Sequence, residues 1–136
     1  MKFVDTNIFV RYLTGDDPVK HVQTNQLFER VRNGDEQVVT SEGVVHETCY
    51  VLASSALYNL SHKDVRDRLY PILQLDGVLI ADKPLCLQAL NLFGAHDFLD
   101  YVDAIAIAHV QSGVNDGIYS YDRKISRIEG VNRVEP

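Results

Sequence analysis

Phe3-Val4-Asp5-Thr6-Asn7-Ile8-Phe9 decides how the chain is read. An apolar run halts at an acid and two small polar residues, then resumes: the pattern of a strand that ends in a charged turn and opens a helix. Such a turn lies at the carboxyl end of its strand, the edge along which open parallel α/β sheets bind ligands. Asp5 is therefore a candidate for chemistry, and later acids in equivalent positions are its candidate partners.

Outward from that turn, Ile8 to Leu13 continues as a short apolar helix with Arg11 as its only cation. Thr14-Gly15-Asp16-Asp17-Pro18 breaks it and starts another: Asp17 caps, and Pro18 fits the first turn, where no amide hydrogen is needed. Asp16 and Asp17 look like metal ligands by composition, but capping accounts better for Asp17, because Pro18 follows it. This helix is expected to reach about Arg32, with Val19, Val22, Phe28 and Val31 inward, and to close at Asn33-Gly34. Gln37 to Ser41 reads as a second strand, with Thr40 or Ser41 capping a helix from Glu42 to about Ala56. Glu47 conflicts with its surroundings, since Gly43, Val44, Tyr50 and Val51 flank it at helical spacing. A buried, unpaired carboxylate is costly or protonates. Glu47 thus either has a cation or metal partner or stands at the margin of the face and reaches water.

Ser61 and Asp64 have capping-box spacing ahead of a helix whose inner stripe is Val65, Leu69, Ile72 and Leu73. Pro71 is expected to kink that helix, and Arg66 and Arg68 to form a solvated face. Val78-Leu79-Ile80 is a third strand, and Asp82 with Pro84 repeats the cap-and-proline start for a helix through Leu92. Asp97-Phe98-Leu99-Asp100-Tyr101-Val102-Asp103 then precedes the small-residue helix of Ala104-Ile105-Ala106-Ile107-Ala108, which ends near Gly113. With Asp100 as cap, Asp103 falls in the first turn; three acids are more than capping needs. Taken alone, Asp103 is also explained as a complement to the helix dipole, an effect of roughly 0.3–1 kcal/mol. After the Asn115-Asp116-Gly117 turn, Ile118-Tyr119-Ser120 is a strand, and Asp122 repeats the position of Asp5 just past its end. Val131 to Val134 supplies a last strand. Strands alternating with helices through short connections imply an α/β fold with a mainly parallel sheet covered on both faces.

The chain has 136 residues and 46% apolar content, which fits one domain over residues 1–136 with a core that needs no staples. The first acid follows Met1 too closely for a secretory signal, and no apolar run approaches membrane-spanning length. Cys49 and Cys86 lack paired spacing and sit in apolar helical patterns, as buried free thiols of a reducing compartment do; a cytoplasmic location is expected. The net charge of −6 argues against a nonspecific nucleic-acid coat. It leaves room for an enzyme acting on nucleic acid, since bound metal reverses the field of a carboxylate site.

Met1-Lys2-Phe3-Val4-Asp5-Thr6-Asn7-Ile8, Val45-His46-Glu47-Thr48, Tyr101-Val102-Asp103-Ala104-Ile105-Ala106-Ile107-Ala108 and Ser120-Tyr121-Asp122-Arg123 together resemble, in order, the motifs of PIN-domain ribonucleases, especially VapC-type toxins. The resemblance implies a three-layer α/β/α sandwich with a central mainly parallel sheet. It also implies that Asp5, Glu47, Asp103 and Asp122 gather around Mg²⁺ or Mn²⁺, that the partner is a small antitoxin, and that the assembly is a homodimer. The family often places an aromatic residue soon after the last acid, where this chain has Arg123-Lys124-Ile125. Asp100 is an extra acid near Asp103.

On this reading the chain is an endoribonuclease. The four acids hold one or two metals, Thr6 and Asn7 orient Asp5 or a water, and Arg11, Arg123 and Lys124 contact RNA phosphates. Crowded carboxylates favour a hard cation held through oxygen, and His46 and Cys49 lack the second pair that zinc needs. Two other readings remain. A haloacid-dehalogenase-like phosphatase also places an aspartate after its first strand, but wants a second Asp where this chain has Asn7. A noncatalytic binding module would keep the fold and act only through a partner.

Overall fold

Five side chains start five helices by accepting a backbone N–H two or three residues inside them, and these local bonds set the order of the fold. The computed structural model describes residues 1–136. Its helices are α1 (Thr6–Thr14), α2 (Pro18–Arg32), α3 (Glu42–Ala53), α4 (His62–Leu73), α5 (Lys83–Ala95) and α6 (Tyr101–Gln111), followed by a short 3-10 helix (Arg123–Arg127). Asp5, Asp17, Ser41, Ser61 and Asp100 cap α1, α2, α3, α4 and α6 in turn. Asp82 departs from the cap expected of it. Its backbone is left-handed, at φ 52°, and its side chain caps nothing, so α5 opens on Pro84 alone.

Between the helices run two-residue strands β1 (Lys2–Phe3), β2 (Val38–Val39), β3 (Val78–Leu79), β4 (Ile118–Tyr119) and β5 (Arg133–Val134). Every pair is parallel: β1 on β2, β2 on β3, and β4 on β5, with Lys2 opposite Val38, Val38 opposite Val78, and Ile118 opposite Arg133. The architecture is the expected α/β/α sandwich with a parallel sheet, its ladder divided into a β1-β2-β3 segment and a β4-β5 segment. One buried side-chain bond extends the first segment toward the opening turn. Thr40 donates its hydroxyl to the Val4 carbonyl at 2.9 Å, which fixes the backbone one residue before Asp5.

A cluster of 21 buried residues, among them Phe9, Phe28, Leu52, Leu69 and Leu90, joins α1 to α6 with the first sheet segment. Each fully buried Leu or Phe of this kind contributes about 1.5–3 kcal/mol. A second cluster of Leu99, Ile107, Ile125 and Ile128 seats the 3-10 helix against α6 and so holds the Asp122 turn beside the start of that helix. No helix is long and apolar enough to cross a membrane.

Three expectations change on packing. Val19 and Val22 are 69% and 54% exposed; the inward residues of α2 are Thr24, Phe28 and Val31. The helix is turned by His21, which bonds the Arg11 carbonyl at 3.2 Å and places the valines on the far side. Helix α3 stops at Ala53 because Ser54 to Leu60 folds back as a turn, with the Leu60 amide donating to the Leu52 carbonyl. Arg66 and Arg68 are not merely solvated. Arg66 lies 4.3 Å over the Tyr70 ring and donates to Asn91 on α5, while Arg68 donates to the Leu13 carbonyl at the end of α1.

Candidate active site

The acids after β1 and β4 and at the start of α6 are held first by local structure. Asp5 accepts from the Ile8 amide at 3.3 Å, Asp100 from the Asp103 amide at 2.8 Å, and Asp122 from the Lys124 amide at 3.0 Å. The Asp122 amide is held in turn by the Ser120 hydroxyl at 3.0 Å. Each of these carboxylates spends one oxygen on a cap and keeps the other free.

Asp103 is different, because it caps nothing. It is half-buried, and burial together with the nearby charges of Asp100 and Asp122 pushes its pKa up to about 6, with Lys124 opposing. A carboxylate held among like charges without a structural duty marks a candidate functional group. Asp100 is the exposed cap and Asp103 the half-buried acid of the first turn, the division expected with Asp100 as the cap. Asp100→Asn keeps a capping oxygen and removes one neighbouring charge. The Asp103 titration, followed by ¹³C NMR of its carboxyl carbon, is expected to move to lower pH in that variant; an unmoved midpoint would leave burial and Asp122 as the causes of the shift.

Glu47 resolves to the margin of its face. It is exposed, and it accepts the hydroxyl proton of buried Thr6 at 2.8 Å, so its partner is a neutral hydroxyl and not a cation. That bond ties the start of α1, next to Asp5, to the middle of α3. Thr6 thus orients Glu47, not Asp5. The side chains fall into two groups: Asp5 and Glu47 joined through Thr6, and Asp100, Asp103 and Asp122 with Lys124. As oriented, no three His, Cys, Asp or Glu side chains stand close enough to hold one ion between them.

Asn7 and Arg11 line a separate cleft between α1 and α2, together with Lys20, Gln23 and Leu27. The Arg11 Nη1 donates to both oxygens of Asp16, at 3.0 and 2.9 Å. Asp16 also accepts from Tyr58 and Thr14; the Tyr58 bond, aided by those from Arg11 and Thr14, holds its pKa down to about 2. The acid that composition offers as a metal ligand is therefore the hub of a latch between the α1–α2 turn and the 54–60 turn. Arg123 is exposed at the start of the 3-10 helix, and Lys124 borders the Asp103 group.

Asp100, Asp103 and Asp122 form one end of a groove of about 430 Å³ whose walls include His46, Tyr50, His62 and Phe98. Sequence reading weighs His46 and Cys49 as zinc ligands lacking a second pair, and does not single out Tyr50. The signal available was the helical spacing of His46, Cys49, Tyr50 and Ala53 on α3, which names a shared face but not what it borders. Cys49 and Cys86 are buried free thiols, as expected, and burial raises the pKa of both, which leaves them unreactive.

Among solved structures the chain is similar to VapC20 of Mycobacterium tuberculosis, a sarcin-ricin loop cleaving toxin, at 22% identity over 100% of both chains with a TM-score of 0.41. Comparison with curated proteins gives no match. The PIN domain family profile matches residues 2–131, which takes in Asp5, Glu47, Asp103 and Asp122. On that match, spanning all but the first residue and the last few, the chain belongs to the PIN domain family.

Proposed function

We propose that this protein is a Mg²⁺- or Mn²⁺-dependent endoribonuclease, the toxin of a toxin–antitoxin pair, acting as one PIN domain over residues 1–136. The observation that carries the reading is Asp103: a half-buried carboxylate without a capping duty, crowded by Asp100 and Asp122 in a groove, in a PIN-domain chain. The toxin assignment, the small antitoxin partner and the homodimer follow from the sequence motifs, and the cytoplasmic location from the unpaired cysteines, which are buried free thiols.

The donor set fits a hard divalent cation. It consists of carboxylate oxygens alone, and Asp103, whose pKa is raised first by burial and then by the charges of Asp100 and Asp122, stands to gain from a neighbouring cation. Asp5, Asp103 and Asp122, each with a free oxygen, would hold the ion, and Glu47 would complete the set. The chemistry supplied by a bound divalent cation is polarisation of a phosphodiester oxygen and activation of water. The chain's own groups do the positioning: Thr6 steadies Glu47, Ser120 steadies the Asp122 turn, and Lys124 meets the phosphate. Arg123 adds an exposed charge for the RNA backbone. Arg11, paired with Asp16, is the weakest of the three proposed phosphate contacts.

The test is cleavage of a total-RNA pool by the purified protein with Mn²⁺, beside Asp5→Asn and a chelator control. Discrete fragments that vanish with either change are the expected result. Fragments that survive both changes would overturn the metal site; no fragments and no Mn²⁺-dependent rise in melting temperature would favour the noncatalytic binding module. Release of phosphate from a small phosphoester would favour the phosphatase.

A further inference from the structure

Asp122 has less local structure behind it than the other acids of the site. Asp5 and Asp103 stand at the start of α-helices of nine and eleven residues, whereas Asp122 opens a 3-10 helix of five. Hydrogen bonds in a 3-10 helix have poorer geometry than those of an α-helix, so such a helix holds its first residue weakly. Ile125 and Ile128 anchor it in the second core cluster, but both lie after the acid.

The strand before Asp122 also lacks the bond that would carry its ladder on. Ser120 donates its amide to the Val134 carbonyl at 3.0 Å, and by the register of β4 on β5 the Ser120 carbonyl would next accept from residue 136. That residue is Pro136, which has no N–H. Arg133 supplies the donor instead. Its Nη1 donates to the Ser120 carbonyl at 2.7 Å, and its Nε donates to the Ser126 hydroxyl at 2.9 Å. One guanidinium therefore joins the backbone two residues before Asp122 to a side chain four residues after it.

The Arg133 side chain is only 15% exposed, and the strand that carries it is closely seated: a Cβ on Gly117 of β4's entry would fall 2.5 Å from the Asn132 carbonyl oxygen. Nη1 also meets Glu135 at 3.0 Å, but the Glu135 side chain is 47% exposed, and ion pairs open to water contribute little. The two bonds across the Asp122 turn are what the buried guanidinium is placed to make.

We propose that Arg133 is a positioning residue for Asp122, holding its carboxylate in place beside Asp103 by tying the Ser120 carbonyl to the Ser126 hydroxyl. The consequence for the site, tighter binding of a divalent cation, rests on the ribonuclease reading above. Lysine cannot substitute. Its ammonium is a point charge on a flexible stem, whereas the coplanar donors of a guanidinium reach two acceptors at fixed angles. A contact to phosphate, by contrast, is a role that lysine can fill.

The experiment compares wild type, Arg133→Lys, Ser126→Ala, Asp122→Asn and the Arg133→Lys, Asp122→Asn double variant. The first readout is backbone hydrogen exchange, followed by NMR without metal. The Lys124 amide, bonded to the Asp122 carboxylate, is expected to exchange about tenfold faster in Arg133→Lys and Ser126→Ala, the worth of one hydrogen bond to a charged group, while amides within α5 and α6 exchange as in wild type. The second readout is Mn²⁺ affinity by electron paramagnetic resonance. Both variants are expected to bind Mn²⁺ roughly 10–100-fold more weakly, and Arg133→Lys to add nothing to Asp122→Asn. Unchanged exchange at Lys124 overturns the proposal, and so does faster exchange throughout the chain, which would make Arg133 a general stabiliser. Mn²⁺ affinity kept in Arg133→Lys but lost in Asp122→Asn overturns it and leaves the ribonuclease reading standing; so does an equal loss from Arg133→Lys with and without the Asp122 carboxylate. Faster exchange confined to the Asp122 turn, with Mn²⁺ affinity unmoved by Asp122→Asn, supports the positioning of Asp122 by Arg133 and overturns the metal site of the ribonuclease reading.

Discussion

Asp103→Asn is expected to lower RNA cleavage by roughly three orders of magnitude or more while raising the melting temperature of the metal-free protein at pH 7. The first half follows from the worth of metal-assisted charge stabilisation, several kcal/mol at about 1.4 kcal/mol per factor of ten. The second follows from linkage. The folded pKa of Asp103, about 6, lies above the ordinary carboxylate value near 4, so between those two pH values the folded chain holds more protons than the unfolded one. Stability therefore falls as pH rises from about 4 to about 6, and above 6 the whole cost of holding this charge beside Asp100 and Asp122 is present. Asn has nearly the same shape and no charge, and so removes that cost. Thermal unfolding in chelator should show the variant melting above wild type at pH 7, with the difference fading toward pH 4. Mn²⁺ should then raise the melting temperature of wild type alone. Full activity in the variant would remove Asp103 from the site, and a lower metal-free melting temperature would show that its charge is already compensated.

Gly94→Ala should lower the melting temperature by roughly 5–10 °C and disturb the groove from behind. A Cβ built on Gly94 falls 2.5 Å from the Arg66 Cβ and 2.7 Å from its Cγ. The flexible end of Arg66 is not what stands in the way; its Cβ is fixed by the α4 backbone, so α4 and α5 must move apart. Overpacking of this kind costs about 1–3 kcal/mol. It also strains the neighbouring contact, since Phe93 holds His62 by stacking and by its carbonyl at the groove wall. Differential scanning fluorimetry measures the first effect, and Mn²⁺-dependent cleavage of the total-RNA pool the second. An unchanged melting temperature would mean that the two helices are less closely packed at Gly94 than their backbones indicate.

How much of this could be read beforehand depends on the range of each interaction. The caps at Asp17, Ser61 and Asp100 were legible because a capping bond spans three residues and leaves its residue types in the sequence. Asp82 has the same residue types but adopts a left-handed backbone, which the Asp-x-Pro pattern does not encode. Asp5, Asp103 and Asp122 could be named from their positions after strands and at a helix start. That Asp103 is half-buried between the charges of Asp100 and Asp122 could not be told from position.

The sequence by itself determined the order of helices and strands, the parallel sense of their pairing, the helix starts and the acids at the strand ends, because turn chemistry, periodicity and short connections act locally. Only the tertiary structure decided which face of a helix is covered. Periodicity sorts residues onto faces, but the neighbour that covers a face comes from far along the chain. Val19 and Val22 therefore point to solvent, Glu47 reaches Thr6 across 41 residues of sequence, and Tyr50 is left with a bare ring at the mouth of a groove. The raised pKa of Asp103 has the same origin, since it depends on burial and on Asp122, which another strand delivers.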